Sequence, residues 1–272
     1  MKITYLGTAA AEGFPAVFCN CEYCNRAREL GGKNIRTRSQ AIINDDRLID
    51  LPADTYNHFL LNGILGDRIK YLFITHSHSD HFYPLELGMR QGAFAHQMQA
   101  PVLNVYCGQG AYDKLCAEFK ESKGIEITLL KAYKEIVLNG YEIIPLPARH
   151  FNGDNALFFI IKGDKTILYA HDTGFFYDEV FDYVEKEHLY FDLISLDCTN
   201  IDLSISDEGG HMGLENIARL TQKLTGISAI DDKTVRYINH FSHNANPIHH
   251  LLEKRVESMN LNVAYNGLQI DL

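Results

Sequence analysis

The feature that most constrains the fold is an apolar run, Tyr71-Leu72-Phe73-Ile74-Thr75, that passes without a break into His76-Ser77-His78-Ser79-Asp80-His81. The run reads as a strand, and four candidate metal ligands lie within the six residues that follow it. Side chains alternate along extended backbone, so His76 and His78 project to one side and can grip a single ion. The turning chain then sends Asp80 and His81 elsewhere. A solvated loop accounts for any one of these histidines but not for all four together. The fold must therefore close a cup around the end of this strand, with room for two adjacent ions.

Further ligands have to come from distant sequence, and three later apolar runs end in suitable residues. They are His150 in Pro147-Ala148-Arg149-His150, Asp172 in Tyr169-Ala170-His171-Asp172-Thr173-Gly174, and His240 in Tyr237-Ile238-Asn239-His240. His171, next to Asp172 on extended backbone, points the opposite way and reads as structural. His58, His96, His188, His249 and His250 lack such a context and read as surface or helix histidines. Two dications about 3.5–4 Å apart lower the pKa of a bridging water and stabilise the attacking and leaving oxygens of an in-line displacement, so hydrolysis is the expected reaction. Histidine and carboxylate ligands suit Zn, Mn, Fe or Ni.

Strand patterns occur at residues 3–6, 47–50, 69–75, 102–106, 125–129, 141–146, 157–162, 166–170, 192–197 and 235–239. Helical patterns occupy 21–30, 54–62, 85–96, 111–121, 179–187, 214–223 and 247–259. Turn signals at Asn139-Gly140 and Gly163-Asp164 predict antiparallel pairing from about Ile125 to Ala170, and strand–helix alternation follows it. Mixed sheets covered by helices make a layered α/β sandwich, expected here as one domain over residues 1–272.

Composition narrows the partners. With 46% apolar and 22% charged residues the chain is of the globular class. A formal charge of −10 argues against long nucleic acid, whose affinity comes from clustered Lys and Arg. The N-terminus lacks a signal peptide's apolar stretch and no run of about 18 apolar residues occurs, so a cytoplasmic protein with no membrane partner is expected. A homodimer stays compatible with the sequence.

Three of the six cysteines crowd into Cys19-Asn20-Cys21-Glu22-Tyr23-Cys24, a spacing that suits three thiolates around one tetrahedral ion. The fourth ligand is expected from His243: in Asn239-His240-Phe241-Ser242-His243, His240 can enter the active site while His243 reaches the thiolates. Such a structural zinc would tie folding to the alignment of a catalytic ligand. Cys107, Cys116 and Cys198 read as small buried hydrophobes.

HSHSDH followed by His150, Asp172 and His240, in this order and at these separations, resembles the metallo-β-lactamase superfamily over essentially the whole chain. The resemblance implies a four-layer αββα sandwich with mixed sheets. It implies His76, His78 and His150 on one ion, Asp80, His81 and His240 on the other, and Asp172 bridging, with Asp50 orienting ligands from behind. The stretch GTAAAEGFPAVFCNCEYC with INHFSH narrows it to the branch that holds the phosphoribosyl 1,2-cyclic phosphate phosphodiesterases of phosphonate degradation and the pyrroloquinoline-quinone biosynthesis proteins B. Both carry such a zinc.

Gly209-Gly210-His211-Met212-Gly213 is similar to a Gly-His loop this branch places near its site. The catalytic candidates are thus Asp80 and His211, the latter as proton donor to a leaving alkoxide or as a phosphate ligand. Gly209 and Gly210 would let backbone N–H groups approach an anion at a helix N-terminus, with Arg149 helping. The expected function is hydrolysis of a small, cyclic or acyclic, phosphodiester with two divalent ions (Zn, Mn, Fe or Ni) and one structural Zn. The competing readings are a cofactor-biosynthesis protein of the pyrroloquinoline-quinone protein B type and a zinc-fold binding module without catalysis. An exported β-lactamase-like amidase and a tRNA-processing nuclease rank lower, for want of an export signal and of a basic surface.

Overall fold

A computed structural model of the chain describes residues 1–119, 122–150 and 155–272. The strands run in chain order as β1 (Lys2–Gly7), β2 (Gln40–Ile43), β3 (Arg47–Ile49), β4 (Tyr71–Ile74), β5 (Leu103–Cys107), β6 (Ile125–Leu129), β7 (Ile136–Leu138), β8 (Tyr141–Pro147), β9 (Leu157–Lys162), β10 (Thr166–Ala170), β11 (Leu193–Asp197), β12 (Val235–Asn239), β13 (Asn262–Val263) and β14 (Leu268–Asp271). The helices are α1 (Glu22–Leu30), α2 (Thr55–Asn62), α3 (Gln109–Phe119), α4 (Asp178–Lys186), α5 (Leu214–Gly226) and α6 (His249–Val256). One sheet has the order β14-β1-β2-β3-β4-β5-β6 and the other β13-β12-β11-β10-β9-β8-β7.

The burial pattern explains why these strands are apolar on both faces. In β4, Tyr71 and Phe73 face the second sheet while Leu72 and Ile74 face outward onto the α3 side. In β9, Leu157, Phe159 and Ile161 face the first sheet, and Phe158 and Ile160 face outward onto the layer of α4, α5 and α6. Each sheet is thus covered twice, by the other sheet inside and by helices outside, which is the four-layer αββα arrangement. No helix among the described residues is long and apolar enough to cross a membrane.

The structure corrects two expectations. β6 does not begin an antiparallel run: it pairs in parallel with β5 at the edge of the first sheet, and the antiparallel stretch is β7 to β10. The Asn139-Gly140 turn is local and sets only the β7–β8 hairpin, whereas the β5-α3-β6 crossover sets β6. The helix expected at 85–96 is two 3₁₀ segments, Pro84–Arg90 and Gly92–Phe94, and Gly92 has φ 57°. Two glycines inside a short amphipathic stretch make a continuous α-helix too costly. The helix expected at 111–121 is present over Gln109–Phe119, and the rest of that expectation, residues 120 and 121, lies outside the described residues. Strands β2, β7, β13 and β14 gave too short a pattern to be read from the sequence.

Strands β3 to β6 run in parallel, as do β10 to β13, and β8 is antiparallel to β9, which is antiparallel to β10. The C-terminal ends of β3 and β4 in one sheet and of β8, β10, β11 and β12 in the other carry the residues of the site.

Candidate metal centre

The turn after β4 and the strand ends of the second sheet bring His76, His78, His150 and Asp172 into one group whose ligand atoms lie within 4.8 Å of one another. Asp80, His81, Asp172 and His240 form a second group by the same measure, and Asp172 belongs to both. All seven expected residues therefore converge. His150 Nε2 is 3.1 Å from His78 Nδ1, and His76 Nε2 is 3.0 Å from Asp172 Oδ2. His81 Nε2 lies 3.2 Å from His240 Nε2, 3.1 Å from Asp172 Oδ2 and 3.4 Å from Asp80 Oδ2.

These separations fit cations. Nitrogen and oxygen ligands about 2.0–2.1 Å from one tetrahedral ion stand roughly 3.3 Å from each other. The hydrogen-bond partners make the same point. His81 Nδ1 donates to Asp50 Oδ2 at 2.6 Å, and His240 Nδ1 to Thr199 Oγ1 at 2.8 Å. Each ring is left with Nε2 as a lone pair, and the two lone pairs face one another, an arrangement that calls for positive charge between them. Among the described residues, neither His76 Nε2 nor Asp172 Oδ1, both buried, has a partner in hydrogen-bonding alignment.

The electrostatics agree. Burial opposes the charge on Asp172, but His240 and His76 outweigh it and hold the carboxyl well below the usual carboxylate range. Burial also opposes a charged His81, yet Asp50 and Asp80 reverse the balance and raise it well above an ordinary imidazole. These carboxylates thus favour positive charge at this point, and a metal ion binding there would displace the Nε2 proton. Burial pushes His150 down to about 4 and lowers His78 as well, which leaves both rings neutral with a lone pair to offer.

Three site residues sit in the left-handed backbone region: Asp50 (φ 65°), Asp172 (φ 54°) and His240 (φ 63°). Each is the residue that leaves a strand for the cup, a conformation that costs on the order of 1 kcal/mol or more and that Asp and His tolerate better than most residues. Asp50 is fully buried, accepts from the backbone N and Oγ1 of Thr75 at 2.8 and 2.9 Å, and so fixes His81 from behind. His171 does turn away: its Nε2 meets Ser195 Oγ at 2.6 Å, and its ring stacks on Tyr5 and packs tilted against Tyr169 between the sheets.

Asp197 was missed by the sequence reading as a site residue. Its Oδ2 takes the backbone N of Asp172 at 3.1 Å and Thr199 Oγ1 at 3.0 Å, and it stands 3.2 Å from His211 Nδ1 and 3.4 Å from His240 Nδ1. Its Oδ1 takes the backbone N of Thr199 and of Met212 at 3.1 and 2.9 Å. One buried carboxylate thus orients the Asp172, His211 and His240 segments. The signal was available, since Asp197 ends the apolar run of β11 as Asp50 ends that of β3.

His211 stands at the cup with its Nδ1 3.1 Å from Asp172 Oδ1 and its side chain 24% exposed. Burial would lower it, but Asp197 outweighs burial and raises it to about 9. It also forms, with Asp172, Asp197 and His240, a third group able to hold an ion. The loop around it corrects two expectations. Of the Gly209 and Gly210 amides expected to approach an anion, Gly209 N is already taken by Ser206 O at 2.9 Å. At the start of α5, Met212 N is taken by Asp197, Gly213 N by Asn216 Oδ1 at 3.0 Å and Leu214 N by Ile201 O at 2.7 Å. Arg149 is committed too, donating to Glu208 Oε2 at 2.6 Å and to Phe175 O at 3.0 Å. Gly174 and Gly209 instead serve close packing, because a Cβ on Gly174 would stand 1.8 Å from Gly209 O.

The cysteine cluster also assembles. Cys19, Cys21, Cys24 and His243 place their ligand atoms within 4.8 Å of one another. His243 Nδ1 is 3.6 Å from Cys24 Sγ and 3.8 Å from Cys21 Sγ. A tetrahedral ion with Zn–S about 2.3 Å and Zn–N about 2.0–2.1 Å sets its sulfur and nitrogen ligands roughly 3.6 Å apart, so the four residues fit zinc. A hydrogen bond with His243 lowers Cys21 to about 6, and burial raises Cys24 to about 12. Glu12 Oε1 accepts from Ser242 Oγ at 2.6 Å and from the His243 backbone N at 3.2 Å, which fixes the loop between the two centres.

A model of the β-lactamase superfamily domain matches residues 57–230. The chain belongs to the β-lactamase superfamily. The matched span carries every residue of the dinuclear group except His240, which lies beyond it. Within the superfamily the chain is similar to coenzyme PQQ synthesis protein B of Acinetobacter baumannii (strain ACICU), 25% identical over an alignment 326 positions long that covers 100% of both proteins. Its fold is similar to that of a diphosphatase of the PhnP family, with TM-score 0.76 and 20% identity over 99% of this chain and 96% of that one. It is similar also to Zn(2+)-bound PqqB from Methylobacterium extorquens, with TM-score 0.78 and 16% identity over 100% of each. This is the metallo-β-lactamase fold, and the chain is hydrolase-like with groups suited to divalent metal.

Proposed function

We propose that this superfamily member is a metal-dependent phosphodiesterase acting on a small phosphodiester, cyclic or acyclic. The observation that carries the reading is the pair of facing imidazoles, His81 with His240 and His78 with His150, on either side of Asp172, with His211 beside them. His76, His78 and His150 would hold one divalent ion, Asp80, His81 and His240 the other, and Asp172 both. When bound, such a pair supplies Lewis acidity to the phosphoryl oxygens and a nucleophilic water at neutral pH. Zinc, manganese, iron and nickel all suit these ligands.

The chain's own groups do the rest. Asp50 and Asp197 hold the imidazoles from behind, so no ligand has to reorient as charge develops. Asp80 orients the attacking water at the mouth of the cup. As the water oxygen, its proton lost to solvent, bonds to phosphorus and the bond to the leaving oxygen breaks, His211 gives its proton to that oxygen, steadied by Asp197, and regains one from solvent. The Cys19, Cys21, Cys24 and His243 group would hold a structural zinc that anchors the segment bearing His240.

The full-length likeness to a coenzyme PQQ synthesis protein carries a second reading, the same metal set serving cofactor maturation. Metal analysis joined to assays with bis-p-nitrophenyl phosphate and small cyclic phosphodiesters, in Mn and in Zn, separates these. Three ions per chain with turnover is the expected result. Three ions without phosphodiester turnover favours the cofactor reading, and one ion per chain a zinc-fold binding module.

A further inference from the structure

A cleft of about 580 Å³ opens beside the metal cup, and His150 belongs to both. Its walls come from the turn after β6, with Leu130 and Ala132, from Pro147 and Ala148 at the end of β8, from Leu157 at the start of β9, and from Tyr177 ahead of α4. The volume falls within the range of small-molecule sites, roughly 300–1,000 Å³.

The chemistry of the walls says what fits. The Arg149 guanidinium lies 4.2 Å from the Tyr177 ring centroid, which fixes that aromatic wall. The same guanidinium is bound to Glu208 and to Phe175 O, so its charge is directed away from any ligand in the cleft. What faces the cleft is mostly an aromatic ring, aliphatic side chains and proline, with His150 on the side of the cup and the polar residues Asn155, Lys131 and Gln109, all exposed, around it. A phosphorus centre held between the two metal groups would lie next to His150, and a group bonded to it would extend along these walls.

Resting on the phosphodiesterase reading above, we infer that this cleft is the subsite for the ester arm that stays on phosphorus, and that the arm is planar and largely apolar. In the reaction, water oxygen bonds to phosphorus, the bond to the leaving oxygen breaks, and the arm remains on the phosphate in the cleft.

The test compares phenyl p-nitrophenyl phosphate with methyl p-nitrophenyl phosphate, each normalised to its uncatalysed rate, on metal-loaded protein and its Ala132→Trp variant. Ala132 is exposed, so a larger side chain is tolerated there, and the chain has no other tryptophan to obscure a reporter. The parent is expected to favour the phenyl ester at least tenfold in kcat/KM, and the variant to lose most of that preference. Phenylphosphonate should shift the tryptophan emission of a second, metal-loaded variant, Lys131→Trp at the rim, saturably, and methylphosphonate should not. Turnover of both esters with no preference, or with a preference that Ala132→Trp leaves intact, overturns the subsite alone. Turnover of neither ester overturns the phosphodiesterase reading itself.

Discussion

The metal cup and the cysteine cluster are joined by four residues, His240 to His243, yet they are built in opposite ways. The cup collects its side chains from the ends of strands in both sheets, holds three residues in left-handed backbone, and braces its imidazoles with two buried carboxylates, Asp50 and Asp197. The cysteine cluster takes three ligands from six consecutive residues and needs only His243 from elsewhere. A site assembled from many elements depends on a fold that already exists. A site assembled from one loop can help make the fold. The cup should therefore fail as chemistry and the cluster as stability.

The largest expected effect tests that contrast directly. His78→Ala should cut kcat/KM by well over the roughly 100-fold that losing an outer partner already produces, while thermal unfolding stays close to the parent. Cys21→Ser should do the reverse, lowering Tm by roughly 10 °C, the shift that a loss of about 3–4 kcal/mol gives a chain of this length, before the kinetics of the folded fraction change. Calorimetry and steady-state assays on both variants settle the comparison, and a Cys21→Ser protein that melts like the parent removes the structural-zinc assignment.

A subtler break lies within the cup. In Gly174→Ala the new Cβ would stand 1.8 Å from Gly209 O, so the loop carrying His211 must move while the metal-holding residues stay. A misplacement of about 1 Å costs up to roughly 100-fold in rate, and the loss should grow with the pKa of the leaving group. An equal loss for good and poor leaving groups would remove His211 as the proton donor.

The smallest effect lies outside both centres and gives their baseline. His58, on α2, is buried with Nδ1 2.5 Å from Gln40 Oε1 and Nε2 2.6 Å from Thr37 Oγ1, and burial lowers it from 6.5 to about 4. The folded state keeps the ring neutral, so the unfolded chain binds the proton first. Stability is full above pH 6.5 and falls as pH drops toward 4. Urea midpoints of parent and His58→Gln should differ in their pH dependence by about 2 kcal/mol between pH 7 and pH 5, with the parent the more sensitive. Parallel curves would show that His58 makes no contribution.

Much of this was legible in the chain. The buried strands were, because a strand covered on both faces is apolar at every position and needs no periodicity to be seen. The ligands were, because each follows such a run. His58 and His249 read as surface or helix histidines; both lie on helices, but both are buried, against Gln40 and against Arg36. Nothing local in the sequence announces those partners.

By itself the sequence determined which residue types could gather at a cup, since HSHSDH and CNCEYC place their ligands by spacing along one stretch of backbone. Only the tertiary structure decided that β6 joins the first sheet, that Asp197 braces Asp172, His211 and His240, and that Arg149 spends its charge on Glu208. The physical reason is range. Alternation and turn chemistry act over a few residues, whereas strand partners and buried counter-charges are chosen by which distant segments share a low-dielectric interior.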